Sequence, residues 1–147
     1  MTGRDVTVLM VDDDTVDQMA VRRAFQLLRL SNRIVAARDG LEAFDMLRGT
    51  NGCDAVAQPV LILLDLNMPR MNGIEFLQEL RADPSLHRLV VFVMTTSSSG
   101  KDMADAYDRS IAGYILKQDP ERPFLEALDM LDRYCRAVEF PPAIRAG

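Results

Sequence analysis

The chain has 147 residues, 48% of them apolar and 27% charged, and a formal net charge of −5. That length suits a single domain able to bury a core, and the balance is ordinary for a globular protein. No apolar run approaches the roughly 18 residues of a membrane helix, and no Lys/Arg run could track a nucleic-acid backbone, so neither membrane insertion nor nucleic-acid binding is expected.

The first predicted strand, 6–11, ends in Asp12-Asp13-Asp14. A helix follows over 15–30, with Val16, Ala20, Ala24, Leu27 and Leu28 expected on one buried face. A short strand of modest β propensity is predicted over 33–37 and a helix over 41–48, before a surface loop at Gly49-Thr50-Asn51-Gly52. The run 60–66 reads Val-Leu-Ile-Leu-Leu-Asp-Leu without alternation, the pattern of a strand buried on both faces. Asn72, with Glu75 three positions on, predicts a capping box opening a helix to 81. The 84–88 loop carries the only histidine, His87, to which no role is given. Then come a strand over 89–94, a helix over 101–109 and a strand over 114–116. Asp119-Pro120 predicts the start of the last helix, whose apolar stripe is Phe124, Leu128, Leu131, Cys135 and Val138.

This alternation is (βα)5, which implies an α/β fold: a five-stranded parallel sheet, doubly wound with helices on both faces. Residues 1–147 are expected to form one domain, with 139–147 as a short C-terminal extension. The N-terminus has no signal-peptide pattern, and Cys53 and Cys135 form no Cys-x-x-Cys pair. A cytoplasmic protein with two free thiols is expected.

The chemistry collects at strand ends. In open parallel sheets ligands bind beyond the carboxyl ends of the strands, where strand order reverses. In a sheet ordered 2-1-3-4-5, strands one and three are neighbours there, and Asp12 and Asp13 face Asp65 across a crevice. Crowded carboxylates raise one another's pKa unless a cation neutralises them, and an all-oxygen set suits a hard cation such as Mg2+. Asp14, just before a helix, reads as a cap. Strand four ends in the hydroxyls Thr95-Thr96-Ser97 and strand five in Lys117. Carboxylate, metal, hydroxyl and amine together describe phosphoryl transfer to a carboxylate.

Val11-Asp12-Asp13-Asp14, the segment Leu64-Asp65-Leu66-Asn67-Met68-Pro69-x-Met71-Asn72-Gly73, Thr95-Thr96-Ser97 and Gly113-Tyr114-Ile115-Leu116-Lys117 resemble the signature of response-regulator receivers, over about residues 6–138. The resemblance implies a flavodoxin-like fold, with Asp65 as phosphoacceptor. It further implies Mg2+ held by Asp13, Asp65 and the Asn67 carbonyl, with Asp12 holding a metal-bound water. Thr95 and Lys117 would contact the phosphoryl group, and Tyr114 would be an aromatic switch that swings inward. The implied function is a two-component regulator that accepts its phosphoryl group from a sensor histidine kinase, and is a phosphoacceptor rather than an enzyme.

The sequence departs from the usual pattern in three places. Gln118 stands where a proline usually follows the lysine, the stretch from Asp13 to Asp65 is long, and the chain continues past the usual end of the last helix. These features resemble stand-alone receivers paired with phytochrome-type kinases. A dehalogenase-type phosphohydrolase would need an acid at position 67, which is Asn67. A flavin-mononucleotide module would not place three carboxylates in its phosphate loop. Leu125, Met130, Tyr134 and Phe140 fall off the last helix's core stripe and predict a homodimer through that helix and the sheet edge, with the tail contributing. Output through a target protein, a phosphorelay histidine or a phosphate sink stays open.

Overall fold

β1 (Thr7–Val11) and β3 (Val60–Leu64) are buried at every position, as their unbroken apolar runs require. They form the centre of a sheet whose other strands are β2 (Ile34–Ala37), β4 (Val90–Thr95) and β5 (Gly113–Leu116). A computed structural model describes residues 6–119 and 121–143 of the chain. All pairings are parallel and the order is β2-β1-β3-β4-β5, so the expected doubly wound, flavodoxin-like topology is what the chain adopts. Between the strands run α1 (Thr15–Leu27), α2 (Gly40–Arg48), α3 (Gly73–Ala82), α4 (Gly100–Tyr107) and α5 (Phe124–Ala137).

Successive strand residues point to opposite faces, which divides the core in two. Leu9, Val11, Ile62, Leu64, Val91 and Val93 pack with Phe44, Phe76, Leu77, Leu80 and Ala106 of α2, α3 and α4. Val8, Met10, Leu61, Leu63, Phe92 and Met94 pack with Val21, Ala24 and Phe25 of α1 and with Leu128, Leu131 and Cys135 of α5. Each fully buried leucine contributes about 1.5–3 kcal/mol by leaving water. Phe44 and Phe76 stack at 4.7 Å between centroids, joining α2 to α3. Cys135 is a packing residue: burial, with Asp132 nearby, pushes its thiol up to about 11, away from the reactive thiolate.

Side-chain oxygens start four helices: Asp14 caps α1, Asp39 caps α2, Ser99 caps α4, and Asn72 with Glu75 makes the expected capping box of α3. Two expectations need correction. On α1, Val16 and Leu27 are 71% and 64% exposed and Ala20 is exposed too; Ala24 is buried as expected, but in company with Val21 and Phe25. The last helix does not begin beside Asp119. That carboxylate accepts the Glu121 amide, and α5 starts at Phe124 with Pro123 in the cap position and no side-chain cap; Pro120 lies outside the described residues.

Arg81, in the last turn of α3, was not expected to matter. Its Nε donates to the Arg109 carbonyl at 2.8 Å, one terminal nitrogen to His87 and Leu89 at 2.7 and 2.8 Å, and the other to Ser110 at 2.9 Å. One side chain thus gathers the loops that enter β4 and β5.

Candidate functional site

The β-ladder itself brings the acids together. Val11 pairs with Leu64, and the Asp65 amide donates to the Val11 carbonyl at 3.0 Å, so the residues just beyond β1 and β3 emerge side by side. Asp12 and Asp65 are buried and Asp13 is exposed, and their carboxylate oxygens lie within 4.8 Å of one another. The Asp12 Oδ1 accepts the Asp14 amide at 2.9 Å, and the Asp65 Oδ1 accepts the Asn67 amide at 3.2 Å. The loop after β3 turns back at once, because a Cβ on Gly73 would meet the Leu66 Cα at 2.6 Å and the Asp65 carbonyl at 2.7 Å. Glycine is what lets α3 start this close to Asp65. Arg70 in the same loop ion-pairs with Asp39, fastening it to the start of α2.

Lys117 enters from the far side. Its amide donates to the Thr95 carbonyl at 2.9 Å, continuing the β4–β5 ladder, and the Lys117-Gln118 bond is trans, since the described residues have a cis bond only at Gln58-Pro59. The ammonium reaches three carboxylates, Asp17 at 2.6 Å, Asp12 at 2.9 Å and Asp65 at 3.3 Å. At Asp12 burial outweighs the Lys117 hydrogen bond and holds the carboxyl above its usual range. Burial alone would lower the Lys117 pKa, but hydrogen bonds to Asp17 and Asp12 and the charges of Asp12 and Asp65 hold it above the usual lysine range. Four carboxylates, those of Asp12, Asp13, Asp17 and Asp65, share this one ammonium, so the cluster carries more negative charge than its lysine can offset. Clustered oxygen donors with surplus negative charge fit a hard divalent cation.

Thr95 closes β4, fully buried, and its Oγ1 accepts the Ser97 amide at 3.3 Å. Tyr114, half-buried on β5, donates its hydroxyl to the Ser97 carbonyl at 2.8 Å. Ser97 in turn donates its hydroxyl to Asp102 of α4 at 2.6 Å. Beside the acids a crevice of about 430 Å³ opens, lined by Asp13, Asn67, Met68, Pro69, Asn72 and Asp102 among others. All predicted site residues therefore lie at one edge of the sheet. Sequence reasoning missed Asp17, because an acid in a helix's first turn already has an ordinary explanation in the helix dipole.

A doubly wound sheet with an acid cluster and a lysine at its switch point defines a signalling module that accepts phosphoryl groups. The chain belongs to the response regulator receiver domain family, which it matches over residues 8–129, and it is the receiver domain of a two-component response regulator. It is 36% identical over 110 residues to FilR2 of Methanothrix harundinacea, spanning 75% of this chain and 70% of that protein. It is 33% identical over 110 residues to the response regulator Rcp1 of Synechocystis sp., spanning 75% of each. A crystal structure of the phosphorylated cyanobacterial phytochrome response regulator RcpA superposes with a TM-score of 0.82 at 29% identity, covering 92% of this chain and 98% of that one. The Mn2+-bound form of Rcp1 superposes with a TM-score of 0.77 at 29% identity, covering 95% of this chain and 100% of that one. Among the described residues no helix is long and apolar enough to cross a membrane.

Proposed function

We propose that Asp65 is the phosphoacceptor, that Asp12, Asp13, Asp65 and the Asn67 carbonyl hold Mg2+ directly or through its water, and that Thr95 and Lys117 stabilise the transferred group. The observation that carries this reading is the convergence of three carboxylates and a three-way-bonded lysine at the ends of β1, β3 and β5. An Asp65 oxygen attacks phosphorus as the bond to the donor's histidine nitrogen breaks, and the phosphoryl group remains as an acyl phosphate. Bound Mg2+ would supply charge to offset that of the carboxylates and phosphoryl oxygens. The Lys117 ammonium and the Thr95 hydroxyl provide donors on the other side.

In this reading the signal leaves through Ser97. Thr95 holds the Ser97 amide and Tyr114 holds its carbonyl, so drawing the threonine hydroxyl to a phosphoryl oxygen loosens the contact that fixes the tyrosine. The donor is a sensor histidine kinase, and the likeness to the phytochrome response regulator RcpA supports a phytochrome-type one. Residues 1–147 act as one cytoplasmic receiver that loses its phosphoryl group slowly by its own hydrolysis. Incubating the full chain with acetyl phosphate should add one phosphoryl group by intact mass in Mg2+, and none after chelation. Labelling that persists without a divalent cation would overturn the metal assignment.

The same reading includes a homodimer through the β5 sheet edge and the face of α5, with the C-terminal extension contributing. Tyr134 and Phe140 turn out to be partly occupied within the fold, in edge-to-face contacts running from Phe92 to Tyr134 at 5.0 Å and from Tyr134 to Phe140 at 5.9 Å. Met130 and Tyr107 remain 39% and 52% exposed along a groove of about 640 Å³ that also has Met103 and Ile115 in its walls, whereas Leu125, 41% exposed, lies away from that groove. Light scattering of the full chain at micromolar concentration should give twice the chain mass. A strict monomer with and without phosphorylation would remove the dimer.

A further inference from the structure

Asp17 lies outside the acid cluster that could hold a cation, yet makes the shortest of the three Lys117 contacts, 2.6 Å against 2.9 Å to Asp12 and 3.3 Å to Asp65. An ammonium has three donors, and here each meets a different carboxylate. The lysine is nevertheless off-centre, drawn towards α1 and away from Asp65. Its side chain is 9% exposed and that of Asp17 is 31% exposed, so the contact spans from the site's interior to its rim. The cavity beside the lysine, about 160 Å³, is lined by Met94, Thr96 and Phe124 among others, and Asp17 is its only acid. Without Asp17, the partners left to the ammonium are Asp12 and Asp65.

Those two carboxylates are what a divalent cation needs. An ammonium settled on them occupies lone pairs and repels the incoming charge. Given the cation site proposed above, on which this rests, we infer that Asp17 is a positioning residue that holds the Lys117 ammonium on the α1 side and so keeps Asp12 and Asp65 open to Mg2+. With Asp17 sharing the ammonium, only one hydrogen bond goes to each of Asp12 and Asp65, and the one to Asp65 is long, at 3.3 Å.

Calorimetric titration of the full chain with Mg2+, without any phosphodonor, tests this. Asp17→Ala should weaken Mg2+ binding about tenfold, within the range of coupling between charged neighbours in one network. Asp17→Asn, which keeps the size of the side chain and removes its charge, should weaken it in the same direction. Asp17→Glu should restore most of the affinity. In a Lys117→Ala background, which should bind Mg2+ at least as tightly as the parent, removing Asp17 should change little. Unchanged affinity in both neutral variants would overturn the inference. So would an equal loss with and without Lys117, since Asp17 would then act only as a distant negative charge. A parent protein that binds no Mg2+ would instead overturn the cation site itself, and the role of Asp17 with it. Thermal melts of each variant confirm that folded protein is being titrated.

Discussion

Asp65→Asn is expected to take up no phosphoryl group from acetyl phosphate under conditions that label the parent fully. The substitution keeps the side chain's size and an acceptor for the Asn67 amide, which reaches Asp65 at 3.2 Å. It removes the anionic oxygen that must attack phosphorus, and an amide is no substitute nucleophile at neutral pH. The fold should tolerate the change well. Lys117 loses only the longest of its three contacts, 3.3 Å, and one charge leaves a cluster in which several carboxylates share a single ammonium. Apo stability should hold or rise slightly, so loss of labelling cannot be put down to unfolding. Intact mass with peptide mapping checks this. Labelling of the variant at the parental rate, or a phosphoryl group mapped to another side chain in the parent, would remove Asp65 from its role.

Arg81→Ala should cost about 3 kcal/mol of folding stability, an effect of the size seen when a buried polar network is broken. For a chain of this size that is a fall in melting temperature of roughly 6–12 °C. The guanidinium serves four carbonyls, those of Arg109, His87, Leu89 and Ser110, and burial lowers its pKa without neutralising it. Removing it strands those acceptors, although water reaches the ones nearest the surface, which keeps the loss below the sum of four charged hydrogen bonds. Arg81→Lys should recover little, because three donors on one nitrogen cannot reproduce a planar fork spanning two loops. The exposed pairs Lys101–Asp105 and Arg133–Asp129 are suitable controls, since solvent-exposed ion pairs contribute little to stability. Urea unfolding of the two Arg81 variants and of one variant at each control pair decides it: a loss at Arg81 no larger than at the controls would mean that the loops hold themselves.

The contrast between Arg81 and Asp65 reflects what a sequence makes legible. An acid closing an apolar strand has no structural excuse, so Asp12, Asp65 and, in the opposite charge, Lys117 stood out at once. An arginine in the last turn of a helix, or an aspartate in the first, satisfies the helix dipole and attracts no notice. The partners of Arg81 and Asp17 lie up to 29 and 100 positions away, where no local pattern reaches.

Strands were read well where burial is two-sided, as in β1 and β3. The face of α1 was misread because that helix carries apolar residues nearly all round. Val16 and Leu27 fit one helical stripe and Val21 and Phe25 another, and only packing against the sheet chose between them. The start of α5 was misplaced because two prolines compete for it in the 119–123 segment, and the second took the cap position.

The unequal burial of the strands sets where this molecule can open. β1 and β3 are sealed on both faces, whereas every residue of β5 and most of β2 are only half-buried. Backbone amides in the two central strands can then exchange with solvent only when the whole sheet comes apart, while those of the outer strand exchange through cheaper, partial openings. Asp12 and Asp65 follow the strands that do not yield, whereas Tyr114 lies in the one that does and Lys117 follows it. Chemistry that depends on fixed distances between acids is thereby mounted on the stiffest part of the protein. The side chains proposed to respond to it ride on the part whose rearrangement costs a fraction of global unfolding.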